Sequence, residues 1–200
     1  MRLFALVGIF AVAVVPAVTA DALSAASVKT KTVTYSISGK DGTALLIAMN
    51  RRGPKHGFLT RAIAQTAYVV TWTLDWDEGV ADCRLTKATP ALSITYTYPK
   101  VRGTLSAELA RRWSRFMVAV RKHEQTHGRL ARQMVGAAEK SVTGLFSTHD
   151  RDCRRTQAEF EKRIAKTYAR FVSRQIAFDR AQHIEGGQVE GLVTLLSKGN

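Results

Sequence analysis

Two histidines four residues apart, with a glutamate beside the first, stand in the stretch Lys122-His123-Glu124-Gln125-Thr126-His127-Gly128. On a helix, positions i and i+4 are neighbours about one turn apart, so both imidazoles can converge on a single cation. The carboxylate of Glu124, which is not itself a ligand, then stands beside that ion. Zinc in such a setting lowers the pKa of water to about 7, and a nearby carboxylate can take the proton and later deliver it to a leaving amine. The spacing therefore points to metal-assisted hydrolysis, with His123 and His127 as ligands and Glu124 as general base and then general acid. The plain alternative is a solvated helix face that happens to carry two histidines.

The flanks favour the first reading. Leu105, Leu109, Trp113, Phe116, Val120, Leu130, Met134, Ala138 and Leu145 recur at intervals of three and four, the mark of a long amphipathic helix. His123 and His127 continue that stripe and so point inward, where an imidazole without a partner is costly and a metal supplies one. The helix is expected from near Leu105 to about Phe146, with Ser147-Thr148-His149-Asp150 as turn and cap. A second helix then carries Phe160, Ile164, Tyr168, Phe171, Gln175 and Phe178 on one face.

A catalytic zinc needs a third protein ligand and an open position. Glu139 lies twelve residues beyond His127, about 18 Å along the same helix, and is too far. An antiparallel return sets residues near 173 to 177 opposite the two histidines, and Asp179 and His183 are the nearest ligand-type side chains beyond. Asp179 is closer by counting, whereas His183 requires the helix to bend or unwind by about a turn. The working ligand set is His123, His127 and His183, with Asp179 orienting His183 or competing to be the third ligand. No residue stands out as oxyanion stabiliser, although Tyr168 is a candidate hydroxyl.

The chain before this hairpin reads as a sheet over residues 28–100. Val33, Tyr35 and Ile37 alternate with polar residues, and a short helix follows from Thr43 to about Asn50. Tyr68, Val70, Trp72, Leu74 and Trp76 alternate strictly with small or polar neighbours. Asp77-Glu78-Gly79 turns the chain back through Cys83 and Leu85, Pro90 breaks it, and Leu92 to Tyr98 form a further strand. One apolar and one polar face per strand implies an antiparallel sheet covered on a single side by the helices.

Residues 1–20 have a positive start, an apolar run from Leu3 to Val15 and small residues before Ala20, as in a secretory signal peptide. No later stretch is apolar for long enough to cross a bilayer. A secreted or periplasmic chain of residues 21–200 is expected, divided into the sheet half, a helical half over 104–184 and a loosely docked or frayed tail over 185–200. Cys83 and Cys153, the only cysteines, would form one disulfide in an oxidising compartment, worth about 3 to 4 kcal/mol. The formal net charge of +14, or +13 without Arg2, suits an anionic envelope polymer or an acidic substrate. It does not favour specific nucleic-acid binding, because the basic residues lie along helices without interleaved exposed aromatics.

The chain resembles the DUF922 family of bacterial secreted proteins, described as predicted zinc-dependent proteases. The resemblance runs through Tyr35 to Gly39, Gly53-Pro54, Trp72 with Trp76, Cys83, Trp113, the His123 to His127 stretch and an aromatic-Asp-x-x-x-His pattern at Phe178 to His183. The pattern departs from the family where phenylalanine replaces tyrosine at 178 and where the first glycine, Gly186, stands three residues after His183 and not directly after it. It implies a metallopeptidase acting on a peptide or protein substrate. The expectation is an α+β domain in which a small antiparallel sheet packs on a long two-helix hairpin bearing the HExxH zinc site. A non-catalytic basic envelope-binding protein with a structural or sensory metal site is the alternative.

Overall fold

The computed structural model describes residues 26–56, 60–183 and 188–197, so the expected signal segment lies outside the described residues. Its frame is a long hairpin of β4 (Gln65–Glu78) and β5 (Asp82–Val101). Along β4 the even-numbered residues from Tyr68 to Trp76 are half-buried and the odd-numbered ones exposed, as the alternation requires. β5 runs straight through Pro90, where a break was expected. Pro90 pairs with Trp72 on one side, while on the other β6 (Phe146–Thr148) pairs only as far as Arg84 and the pairing with β1 (Ser27–Ile37) begins at Ala91. The missing N–H thus falls in a gap between two ladders and disrupts neither.

The sheet is mixed, not antiparallel. β1 (Ser27–Ile37) lies parallel to β5 from Ser27 opposite Ala91 to Ile37 opposite Val101, and the strand order is β1-β5-β4. Alternation reports which face of a strand is buried but not which way the strand runs. Here α1 (Gly42–Arg52), the two-residue strands β2 (Lys55–His56) and β3 (Thr60–Arg61) and the whole of β4 lie between β1 and β5, so the chain has room to bring the two strands side by side in the same direction. The carboxylate of Asp41 caps α1 by accepting from the Ala44 amide at 2.7 Å.

α2 (Ala107–Val142) starts at Ser106, whose hydroxyl accepts from the Leu109 amide. It ends four residues before the expected Phe146, because Gly144 takes φ +73° and Phe146–Thr148 leave as β6, paired with Asp82–Arg84. α3 (Arg154–His183) returns antiparallel. Its contacts with α2 run Arg163 to Ser141, Arg174 to Gln133, Gln175 to His127 and Asp179 to His123. Cys83 and Cys153 form the expected disulfide, with Cα atoms 5.1 Å apart, and tie β5 to the start of α3. Buried Asp150 accepts from the amides of Arg155 and Thr156 in the first turn of α3.

Of the tail, residues 188–197 are described and are docked. Gln188–Ser197 form α4, and Leu196 is fully buried in the main core beside Leu45, Met49 and Leu109. Arg112 donates to the Leu196 carbonyl at 3.1 Å, and a Cβ at Gly42 would overlap that same oxygen, so glycine there admits the end of α4. Phe116, Met134, Val135, Leu92 and Ile94 join α2 to the sheet, each worth about 1.5–3 kcal/mol of burial. Trp72 and Trp76 pack edge-on against Phe160 of α3 and so belong to a second apolar cluster, not to an exposed aromatic platform. No described helix is long and apolar enough to cross a membrane.

Candidate metal centre

α2 delivers His123 and His127 to the helix interface because both continue the stripe set by Phe116 and Val120. α3 delivers Asp179 opposite them. Their donor atoms lie within 4.8 Å of one another, a group that could hold a metal ion. The three separations are 3.2 Å between the two Nε2 atoms, 3.3 Å from His123 Nε2 to Asp179 Oδ1, and 2.8 Å from His127 Nε2 to the same oxygen. Donor atoms this close together can share one metal ion.

The polarity of the group points the same way. His127 Nδ1 lies 2.6 Å from Gln175 Oε1, and Gln175 Nε2 donates to the Tyr68 hydroxyl at 3.1 Å. Because the amide oxygen accepts, Nδ1 carries the hydrogen and a neutral ring keeps its lone pair on Nε2. That lone pair faces a carboxylate oxygen, an arrangement that needs a proton or a cation between the two. The charge state without metal follows. Burial lowers the His127 pKa, but hydrogen bonds from the ring to Asp179 and Gln175 outweigh it and leave the value raised. Burial likewise pushes Asp179 up, and the bonds to His123 and His127 overcome it and hold the carboxyl well below its usual range.

Glu124 is buried, at 6% exposure, and its Oε2 accepts from the Thr66 hydroxyl at 2.6 Å. Thr66 sits beside Tyr96 in the β4–β5 register, and a Cβ at Gly128 would overlap the Tyr96 hydroxyl. Glycine directly after His127 therefore lets α2 lie close enough to the sheet for Thr66 to reach Glu124. Tyr98, in the same layer, has its phenol pushed up to about 12 by burial, then by the Glu124 carboxylate and Tyr96. Phe178 packs against both imidazoles, with ring centroids 4.9 and 5.2 Å away.

A cleft of about 720 Å³ opens between α2, α3, α4 and the start of β4, and Thr66, Tyr68 and Gln175 line it. His123, Glu124, His127 and Asp179 all reach it. The side chain of His183, the other expected third ligand, lies outside the described residues. Tyr168 is engaged elsewhere, accepting from Trp72 Nε1 at 3.0 Å. Sequence reasoning missed Thr66, Tyr68 and Gln175. Only Gln175 left a signal there, as the one polar member of the apolar stripe of α3.

Fold and site together define an α+β chain whose antiparallel helix pair assembles a His, His, Asp group beside a buried glutamate. The chain belongs to the family described as bacterial protein of unknown function (DUF922), whose model matches residues 32–187. No curated protein and no solved structure matches it. A bacterial family and a disulfide are consistent with an extracytoplasmic location.

Proposed function

We propose that this chain is a secreted or periplasmic zinc-dependent metallopeptidase. The observation that carries the reading is the convergence of donor atoms of His123, His127 and Asp179 in a group that could hold a metal ion, with Glu124 in the same cleft. His123 and His127 would hold the ion from α2 and Asp179 from α3. Zinc bound there supplies Lewis acidity, polarising a peptide carbonyl and making water easier to deprotonate.

The protein's own residues do the rest. Glu124 accepts the proton of the attacking water and passes it to the leaving amine, while Thr66 holds its other oxygen in place. Gln175 and Tyr68 keep the His127 ring in the tautomer that offers Nε2. β4 is the outer strand on this side of the sheet, and its Gln65, Thr66 and Tyr68 line the cleft. An extended peptide laid along that edge would present its backbone to the site.

The test is Glu124→Gln in the mature protein. It should retain zinc and lose hydrolysis of an unstructured protein such as casein by about 10²- to 10⁴-fold. Equal turnover by the variant and the wild type would overturn the assignment. The net charge of +14 supports a second reading, a non-catalytic binder of an anionic envelope polymer. Polymer binding that falls steeply with salt and is indifferent to chelation, in a protein inert on peptides, would select it.

A further inference from the structure

The cleft is chemically uneven along its length. At the His/Asp group it is polar, whereas toward the start of α2 its walls are Phe116 and Val120 from that helix and Val189 and Leu192 from α4. Opposite, α3 turns Val172 and Ile176 into the same space, 46% and 53% exposed, on a helix whose other exposed neighbours include Arg170, Arg174 and Arg180. Large apolar side chains left uncovered beside a site are what an apolar ligand group covers.

The wall is built and not incidental. α4 is anchored by buried Leu196, by Arg112 on the Leu196 carbonyl and by the close approach to Gly42, so Val189 and Leu192 are held where they stand. Ile176 is one residue from Gln175 and three from Asp179, so the apolar surface begins one helical turn from the donor group. The volume, about 720 Å³, falls within the range of about 300–1,000 Å³ that holds a ligand of several residues.

We infer that this cleft selects peptides with a bulky apolar side chain next to the bond to be cut, seated against Val120, Val172, Ile176 and Leu192. The inference rests on the peptidase reading for its chemistry and on the lining for its specificity. Desolvating a leucine- or phenylalanine-sized group there should favour such peptides over alanine analogues by roughly 10- to 100-fold in kcat/KM. A charged side chain pressed against Val120, Ile176 and Leu192 should be disfavoured, because those three residues offer it no partner.

The experiment has two arms, both on the mature, zinc-supplemented protein. In the first, cleavage sites in a mixed peptide library are mapped, and kcat/KM is measured for a matched pair of peptides bearing leucine or alanine beside the scissile bond. In the second, binding of the same pair to the Glu124→Gln variant is measured by calorimetry. Ile176→Glu, a change at an exposed position, should cut the leucine-to-alanine ratio about tenfold while zinc content stays unchanged. Cleavage without apolar preference, or a preference untouched by Ile176→Glu, would overturn the inference and leave the peptidase standing. Apolar-selective binding without any cleavage would uphold the cleft assignment and overturn the peptidase reading. No binding and no cleavage would overturn both.

Discussion

Gln175→Ala removes a side chain that touches no metal, yet it should weaken zinc binding. The amide oxygen lies 2.6 Å from His127 Nδ1 and the amide nitrogen 3.1 Å from the Tyr68 hydroxyl, so the residue links β4 to His127 on α2. Without it the half-buried Nδ1–H loses its acceptor and the ring loses what fixes its tautomer. Such losses typically reduce metal affinity about 10- to 100-fold, or about 1.4–2.7 kcal/mol. Gln175→Glu keeps an acceptor at that place and should stay within a few-fold of wild type. Tyr68→Phe only unpins the far side of the amide, a change of about 0.5–1.5 kcal/mol. A competition titration against a chromophoric zinc chelator at neutral pH measures all four proteins. Loose packing alone would not produce the order Glu and Gln, then Phe at 68, then Ala. Equal affinity for wild type and Gln175→Ala, or a glutamate variant as weak as the alanine one, would show that the bond does not orient His127.

Further outcomes follow from other contacts. Gly128→Ala forces a Cβ onto the Tyr96 hydroxyl and within 3.0 Å of Tyr96 Cζ. It should cost about 1–3 kcal/mol of overpacking, offset by up to about 1 kcal/mol of helix propensity, and Tyr96→Phe in the same chain should recover most of the loss in denaturant titrations. Replacing Cys83 and Cys153 by serine opens a loop spanning 70 positions and should lower stability by about 4 kcal/mol, an effect that reductant reproduces on the wild type. In metal-stripped protein the lowered Asp179 pKa adds stability above about pH 3.9 that is lost as acid titrates the folded carboxyl. The raised His127 pKa adds stability present below about pH 6.5 that is lost as pH rises through its folded value. Thermal unfolding of the stripped protein should therefore peak between those limits, and Asp179→Asn should flatten the profile.

Much of this molecule is legible in the periodicity of its sequence. The three-and-four spacing from Leu105 onward gave α2 and the inward aim of His123 and His127, and strict alternation gave β4 with its half-buried even-numbered face. Equal counting across a hairpin brought Asp179 into range of the histidines. What periodicity does not encode is direction and termination. The parallel pairing of β1 depends on a long connection, the uninterrupted β5 on a gap between ladders at Pro90, and the early end of α2 on Gly144 and on β6 finding a partner in β5. Thr66 and Tyr68 stayed hidden for a different reason. A threonine and a tyrosine in an alternating strand look like ordinary sheet residues until the register sets them beneath Glu124 and Gln175.

Zinc stoichiometry of the purified mature protein, compared with Asp179→Ala and His183→Ala, bears most directly on the proposed centre. One equivalent should be present in the wild type and in His183→Ala, and it should be lost from Asp179→Ala as from His127→Ala. A full equivalent surviving in Asp179→Ala, or no zinc in the wild type at all, would contradict a site built from His123, His127 and Asp179.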